Sequence, residues 1–224
     1  DYTIGMRVIK NASKVIALNN FEATQYMKMG VSRDRIRIVP NGVDLAEYKE
    51  LPPKGSFRRR FNIPENLKIV LYLGRIHWIK GIDTLVKACY VMIRRCNYRN
   101  FVLVIAGPDD GYLQVAQRIV SRLGMWKRVI FTGPLYGSLK LSAYTDADVY
   151  VLPSRYETFP MTILEAYACS KPIIVSNVDG LKDLVVNGET GLLFQVNNAR
   201  DLAEKILYVL SNPETATYMG NKAH

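Results

Sequence analysis

From residue 67 to residue 212, short unbroken apolar runs alternate with stretches whose apolar positions recur at helical spacing. The runs LKIVLYLG (67–74), FVLVIAG (101–107), RVIFTG (128–133), DVYVLPS (148–154), KPIIVS (171–176) and GLLFQV (191–196) predict six strands. Each is apolar throughout rather than alternating, as in strands buried on both faces. Between them, GIDTLVKACYVMIRRC (81–96) carries Ile82, Leu85, Ala88, Cys89 and Met92 on one helical face. DGYLQVAQRIVSRLG (110–124), SLKLSAYTDA (138–147), TILEAYACS (162–170) and ARDLAEKILYVLSN (199–212) read as further helices, and LKDLVV as one helical turn. Strands that alternate with helices imply crossover connections. The expected fold is therefore α/β, a doubly wound parallel six-stranded Rossmann-like sheet.

The first 45 residues read differently. ASKVIALNN predicts a strand and turn, FEATQYMKMG a helix ending at Gly30, and DRIRIVPNGVD a strand running into an Asn-Gly turn. This divides the chain into a small unit (1–45) and a main domain (46–224). KGSFRRRFNIPEN (54–66) reads as a polar connector, with Arg58, Arg59 and Arg60 in a solvated loop or helix start.

Composition narrows the class. With 49% hydrophobic residues among 224, a sizeable core is expected and disorder is not. No apolar run reaches the roughly 18 residues of a membrane span, and DYTIGMRVIKNASK lacks a signal core. Cys89, Cys96 and Cys169 have no metal-type spacing and read as reduced thiols of a cytoplasmic protein. Two histidines, His77 and His224, exclude a His-rich metal site. The formal charge of +10 favours anionic partners: phosphorylated small molecules, an anionic membrane at its cytoplasmic face, or nucleic acid. Nucleic acid is disfavoured, because no basic-aromatic stripe or recognisable binding module is present.

Ligands of open parallel sheets bind outside the carboxyl ends of the strands. Gly, Pro and polar residues concentrate there, in LGRIHWIKG, AGPDDG, TGPLYG, PSRYETFPMTILEA and SNVDGLKD; the opposite connections, CNYRN and GMWKR, lack that density. After the first strand come Gly74, Arg75 and Lys80; a guanidinium can fork onto phosphate oxygens and an ammonium adds a point charge. After the fourth, Pro160 is expected at the first helical position. The free N–H groups of Met161 and Thr162 would then form an anion seat. Glu157 would project into the same crevice. Glu165, one turn into the helix, could accept from the vicinal hydroxyls of a ribose. Taken singly, these residues read as surface cations and helix-start acids; their coincidence at two strand exits points to a diphosphate-bearing ligand.

These segments resemble the C-terminal half of a GT-B-fold retaining glycosyltransferase, of the group that includes glycogen and sucrose-phosphate synthases and mannosyltransferases. The resemblance is carried by PNGVD (40–44), LGRIHWIKGID (73–83), AGPD (106–109), FTGPL (131–135), ADVYVLPSRYETFPMTILEAYACSKPIIVSNVDG (147–180) and NGETGLLF (187–194). It implies a nucleoside-diphosphate sugar as donor and no cofactor or metal. Arg75 and Lys80 would neutralise the diphosphate, Glu157 would touch the transferred sugar and Glu165 the ribose. The backbone from Phe159 through Pro160 and Met161 to Thr162 would hold sugar and phosphate oxygens, and Pro134, Leu135 and Tyr136 would border the base. Thr158, Pro160, Met161 and the Asp179-Gly180 pair depart from the usual pattern, with Thr158 placed to cap the helix. The acceptor (sugar, lipid or polysaccharide) would bind an N-terminal domain of which only residues 1–40 are expected here. The chain is thus expected to bind the donor but transfer poorly. A nucleotide-sugar epimerase of the same fold is the alternative.

Overall fold

The structure, a computed structural model, describes residues 2–223, with side chains from residue 5; Asp1 and His224 lie outside the described residues. Helix α1 (Tyr2–Asn11) leads into a small unit in which β1 (Val15–Ala17), α2 (Asn20–Lys28) and β2 (Ile36–Ile38) follow in order. The two strands pair in parallel, Val15 opposite Ile36, over a core of Val15, Ala17, Ala23, Val31 and Ile36. Helix α2 begins where Asn19 Oδ1 accepts from Glu22 N at 2.8 Å while the Glu22 carboxylate accepts from Leu18 N at 2.6 Å. Asn19 thereby satisfies an N–H group that the helix start leaves free, and Glu22 ties down the residue just before the cap.

The region 54–66 is no mere connector. It contains α3 (Ser56–Phe61), whose Phe57 is fully buried. The Asp146 carboxylate caps this helix from afar, accepting from Gly55 N at 2.5 Å and Arg58 N at 3.0 Å. Arg58 is buried rather than solvated. Its guanidinium reaches Asp148 at 3.3 Å and the carbonyls of Pro64 and Leu67 at 3.1 and 2.7 Å. A buried cation needs such partners, and a triple-arginine run does not display them.

The main domain then alternates as expected: β3 (Lys68–Leu73), α4 (Ile82–Arg95), β4 (Phe101–Ala106), α5 (Leu113–Arg122), β5 (Val129–Gly133), α6 (Gly137–Asp146), β6 (Val149–Leu152), α7 (Met161–Ala168), β7 (Ile173–Ser176), α8 (Asp179–Lys182), β8 (Leu192–Phe194) and α9 (Ala199–Ser211). Helix α10 (Pro213–Ala223), not anticipated, packs on α7 and α9 and buries Met219. Pro213 is the first residue of this helix, where its missing N–H costs nothing.

All six strands are parallel, in the order β5-β4-β3-β6-β7-β8. Every residue of β4, β6 and β7 is buried. Successive side chains point to opposite faces, so both faces of the sheet are covered. The order reverses between β3 and β6, which pair directly through Val70–Val149 and Leu71–Tyr150. A crevice opens at such a reversal because the chains leaving the two strands diverge to opposite sides.

Candidate functional site at the sheet reversal

Leaving β3, the chain runs through Gly74 and Arg75 into a single turn, Trp78–Lys80. His77 Nδ1 accepts from Ile79 N at 3.2 Å and starts that turn. Gly81 ends it at φ 66°, where a Cβ would stand 2.0 Å from the Pro153 carbonyl oxygen. Only glycine lets the Lys80 turn lie this close to the chain leaving β6. Arg155 fastens the two exits. Its N–H donates to Ile79 O at 2.7 Å, and its guanidinium binds Trp78 O and, at 2.7 Å, Asp83 at the start of α4. Burial pushes the Asp83 carboxyl up, but hydrogen bonds and charge from Arg155 and Lys87 prevail and hold it below its ordinary value.

Lys80 Nζ lies 2.5 Å from Glu157 Oε1, which also accepts from Ser154 Oγ at 2.6 Å. Both charged side chains are largely buried, so each depends on the other. The loop carrying Glu157 rests on Gly180, where a Cβ would come within 1.9 Å of the Glu157 carbonyl oxygen. Small size at position 180 is thus a requirement of the site.

Helix α7 starts at Met161 with extended Pro160 (ψ 120°) as its N-cap residue, so Pro160 stands just outside the first helical position expected for it. The N-cap residue makes no side-chain hydrogen bond, and the Thr158 cap anticipated from sequence is not formed. Instead the Thr158 carbonyl accepts from Asn19 Nδ2 of the small unit at 2.6 Å. The first N–H groups of a helix have no intrahelical acceptor, and no side chain of the N-cap residue takes one up here.

Glu165 is held by two donors, Lys140 Nζ at 2.8 Å to Oε1 and Tyr144 OH at 3.0 Å to Oε2. Beneath the crevice lie three buried phenols. Tyr150 OH is 2.7 Å from Thr162 Oγ1 and 3.2 Å from Leu73 O, so it links the first turn of α7 to the end of β3. Tyr72 OH donates to Arg75 O at 2.6 Å. Burial first, then neighbouring phenols and carboxylates, push Tyr72 and Tyr144 well above the ordinary phenol value. Burial likewise raises Tyr150, so all three remain donors.

The structure therefore brings Gly74, Lys80, Glu157, Phe159, Pro160, Met161, Thr162 and Glu165 to the exits of two paired strands. Arg75 stands apart, exposed and paired with Asp110 at 2.7 Å across the β4 exit. Pro134, Leu135 and Tyr136 follow β5, two strands away, with Leu135 buried and Tyr136 three-quarters exposed. The adjoining α6 reaches the site through Lys140. Sequence reading missed Asn19, Lys140, Ser154 and the three tyrosines. The tyrosines look like ordinary core aromatics, because their hydroxyl partners stand up to 77 residues away.

Strand order, reversal crevice and helix-start site together define a Rossmann-like α/β domain of the GT-B kind, matching the C-terminal half of that fold. The chain belongs to the glycosyl transferases group 1 family, whose model matches residues 53–224. Over 97% of its length it is 31% identical to the D-inositol 3-phosphate glycosyltransferase of Nocardia farcinica, of which it covers 49%. It is 32% identical to an uncharacterized glycosyltransferase of Methanocaldococcus jannaschii, over 85% of this chain and 48% of that protein. Among solved structures, the sucrose-phosphate synthase of Thermosynechococcus elongatus superposes with a TM-score of 0.82 at 32% identity, covering 100% of this chain and 56% of that one. Anabaena HepE, solved in complex with UDP-glucose, gives 0.90 at 23% identity over 99% and 60%, a likeness of fold. The chain spans about half the length of the curated relatives it matches.

Proposed function

We propose that this chain is the nucleotide-sugar-binding domain of a retaining glycosyltransferase that transfers a hexose from a nucleoside-diphosphate sugar to an acceptor. The observation that carries this reading is the buried Lys80–Glu157 pair beside an uncapped helix start at the sheet reversal. The donor diphosphate seats at the first N–H groups of α7 and draws Lys80 toward its oxygens, with Arg75 exchanging Asp110 for phosphate. Hydroxyls of the transferred sugar replace Lys80 as donors to Glu157. Glu165, oriented by Lys140 and Tyr144, accepts from the ribose.

Cleavage of the glycosidic C–O bond leaves its electron pair on the diphosphate. Fixed N–H dipoles and the two cations stabilise that growing charge more than they stabilise the bound donor. A fold shared with a protein solved in complex with UDP-glucose supports the assignment. The relatives are about twice as long, so transfer is proposed for the whole protein and donor binding for this chain.

Thermal-shift titration with UDP-, GDP- and ADP-sugars tests the reading. At a hundred times its dissociation constant, the correct donor adds about 2.7 kcal/mol of stability. Failure of every nucleoside diphosphate and nucleotide sugar to shift the transition would defeat it.

A further inference from the structure

Between residues 84 and 145 the chain carries nine lysines and arginines but only two acids, Asp109 and Asp110. Both acids sit at the carboxyl end of β4. Asp109 accepts from Tyr112 and Leu113 N–H groups at the start of α5, and Asp110 pairs with Arg75. The opposite end of this half of the sheet is left with no acid from its own segment. There the α4–β4 and α5–β5 connections lie side by side, because β4 and β5 are paired neighbours. Arg128 stitches them together, its guanidinium donating to the carbonyls of Arg99 and Phe101.

Six cations gather at this corner: Arg94, Arg95, Arg99, Arg122, Lys127 and Arg128. Among the described residues none of the six forms an ion pair. All but Arg128 are exposed. In their midst Trp126 is 50% exposed, its ring 6.2 Å from that of Phe131. Helix dipoles favour cations in a last turn, which accounts for Arg94, Arg95 and Arg122. They do not account for Arg99, Lys127 and Arg128, which lie outside those helices, nor for an exposed indole among them. Like charges left uncompensated repel one another, so an anionic partner is the natural complement.

We infer that this corner is a docking surface for an anionic lipid bilayer. One exposed indole ringed by cations is the composition of an interfacial anchor: the ring sits at headgroup depth while the cations meet anionic headgroups. Binding of single strands of nucleic acid uses a series of aromatic platforms, and this corner exposes one. The surface lies at the amino ends of β4 and β5, at the end of the sheet opposite to the one where the crevice opens, and a six-residue strand such as β4 spans about 20 Å. Docking there leaves the crevice open.

Sedimentation with phosphatidylcholine vesicles, with and without phosphatidylserine, tests the inference. The chain should bind only the anionic vesicles, and salt should weaken the binding. Each lost cation lowers partitioning about fivefold, so Arg95→Gln/Arg122→Gln/Lys127→Gln should lose roughly a hundredfold. Trp126→Ala should weaken binding at unchanged charge. A variant lacking three cations elsewhere, Lys49→Gln/Arg60→Gln/Lys222→Gln, should keep most of it. Circular dichroism checks that each variant is folded. The inference is overturned if the two triple variants lose binding equally, if the corner variant binds like wild type, or if no anionic vesicle is bound. It is equally overturned if the corner variant loses affinity only for a single-stranded oligonucleotide.

Discussion

In the proposed reading Lys80 and Glu157 are both a structural ion pair and donor ligands, and the two roles can be separated. Removing one partner leaves a buried charge without compensation and costs about 3 kcal/mol or more. Replacing both by neutral groups of similar shape removes that penalty. Lys80→Met and Glu157→Gln should therefore each lower the melting temperature by several degrees, and the double variant should recover most of the loss. Donor affinity should not recover, since the double variant lacks both of the groups proposed to contact the donor. Tyr150→Phe separates the same two effects one layer deeper. It deletes only the hydroxyl that ties Thr162 to Leu73, at a cost of about 1–3 kcal/mol. If that strut positions α7, affinity for a nucleoside diphosphate falls while affinity for the free nucleoside is kept; equal losses for both would refute the positioning role. Gly180→Ala should be severe, because the new methyl group meets the Glu157 carbonyl rather than a movable side chain. Its expected signature is loss of both stability and donor binding.

Among the elements, the two exit loops are joined by Arg155, and the junction has a testable pH signature. Asp83 is held below its ordinary value in the folded protein, so its contribution is fully present above about pH 4, the unfolded value, and is lost as pH falls through the lowered one. Asp83→Asn should cost about 1.5–3 kcal/mol near neutrality, and the gap to wild type should close in acid. A gap that is independent of pH would contradict this assignment. The same elements show what a sequence can reveal. The six strands, the main helices and the crowding of Gly, Pro and polar residues at the strand exits were all legible, because period and composition are local signals. Helix α3 was not, since its cap is the Asp146 carboxylate, about ninety residues further on, and its buried cation is satisfied by Asp148. Lys140 and Tyr144 escaped for the same reason. They act on Glu165 across a gap of more than twenty residues, and neither has a pattern of its own.

On the scale of the whole molecule, the small N-terminal unit is tied to the crevice rather than loosely attached. Asn19 caps α2 with its oxygen and binds the Thr158 carbonyl with its nitrogen, while Phe21 meets Tyr156 edge-on at 5.9 Å. The loop bearing Glu157 is therefore gripped from both sides, by Gly180 below and Asn19 at the flank. Asn19→Ala should lower donor affinity without touching the donor, and calorimetry should place the loss below that caused by Lys80→Met. The central claim, that the reversal crevice seats a nucleotide diphosphate, is tested most directly by isothermal titration of UDP, GDP and ADP into wild type and Lys80→Met/Glu157→Gln. The account predicts that wild type binds at least one of the three and that the folded double variant binds it tenfold or more weakly, a loss of about 1.4 kcal/mol or greater. Equal affinity of the two proteins for that nucleotide would contradict it.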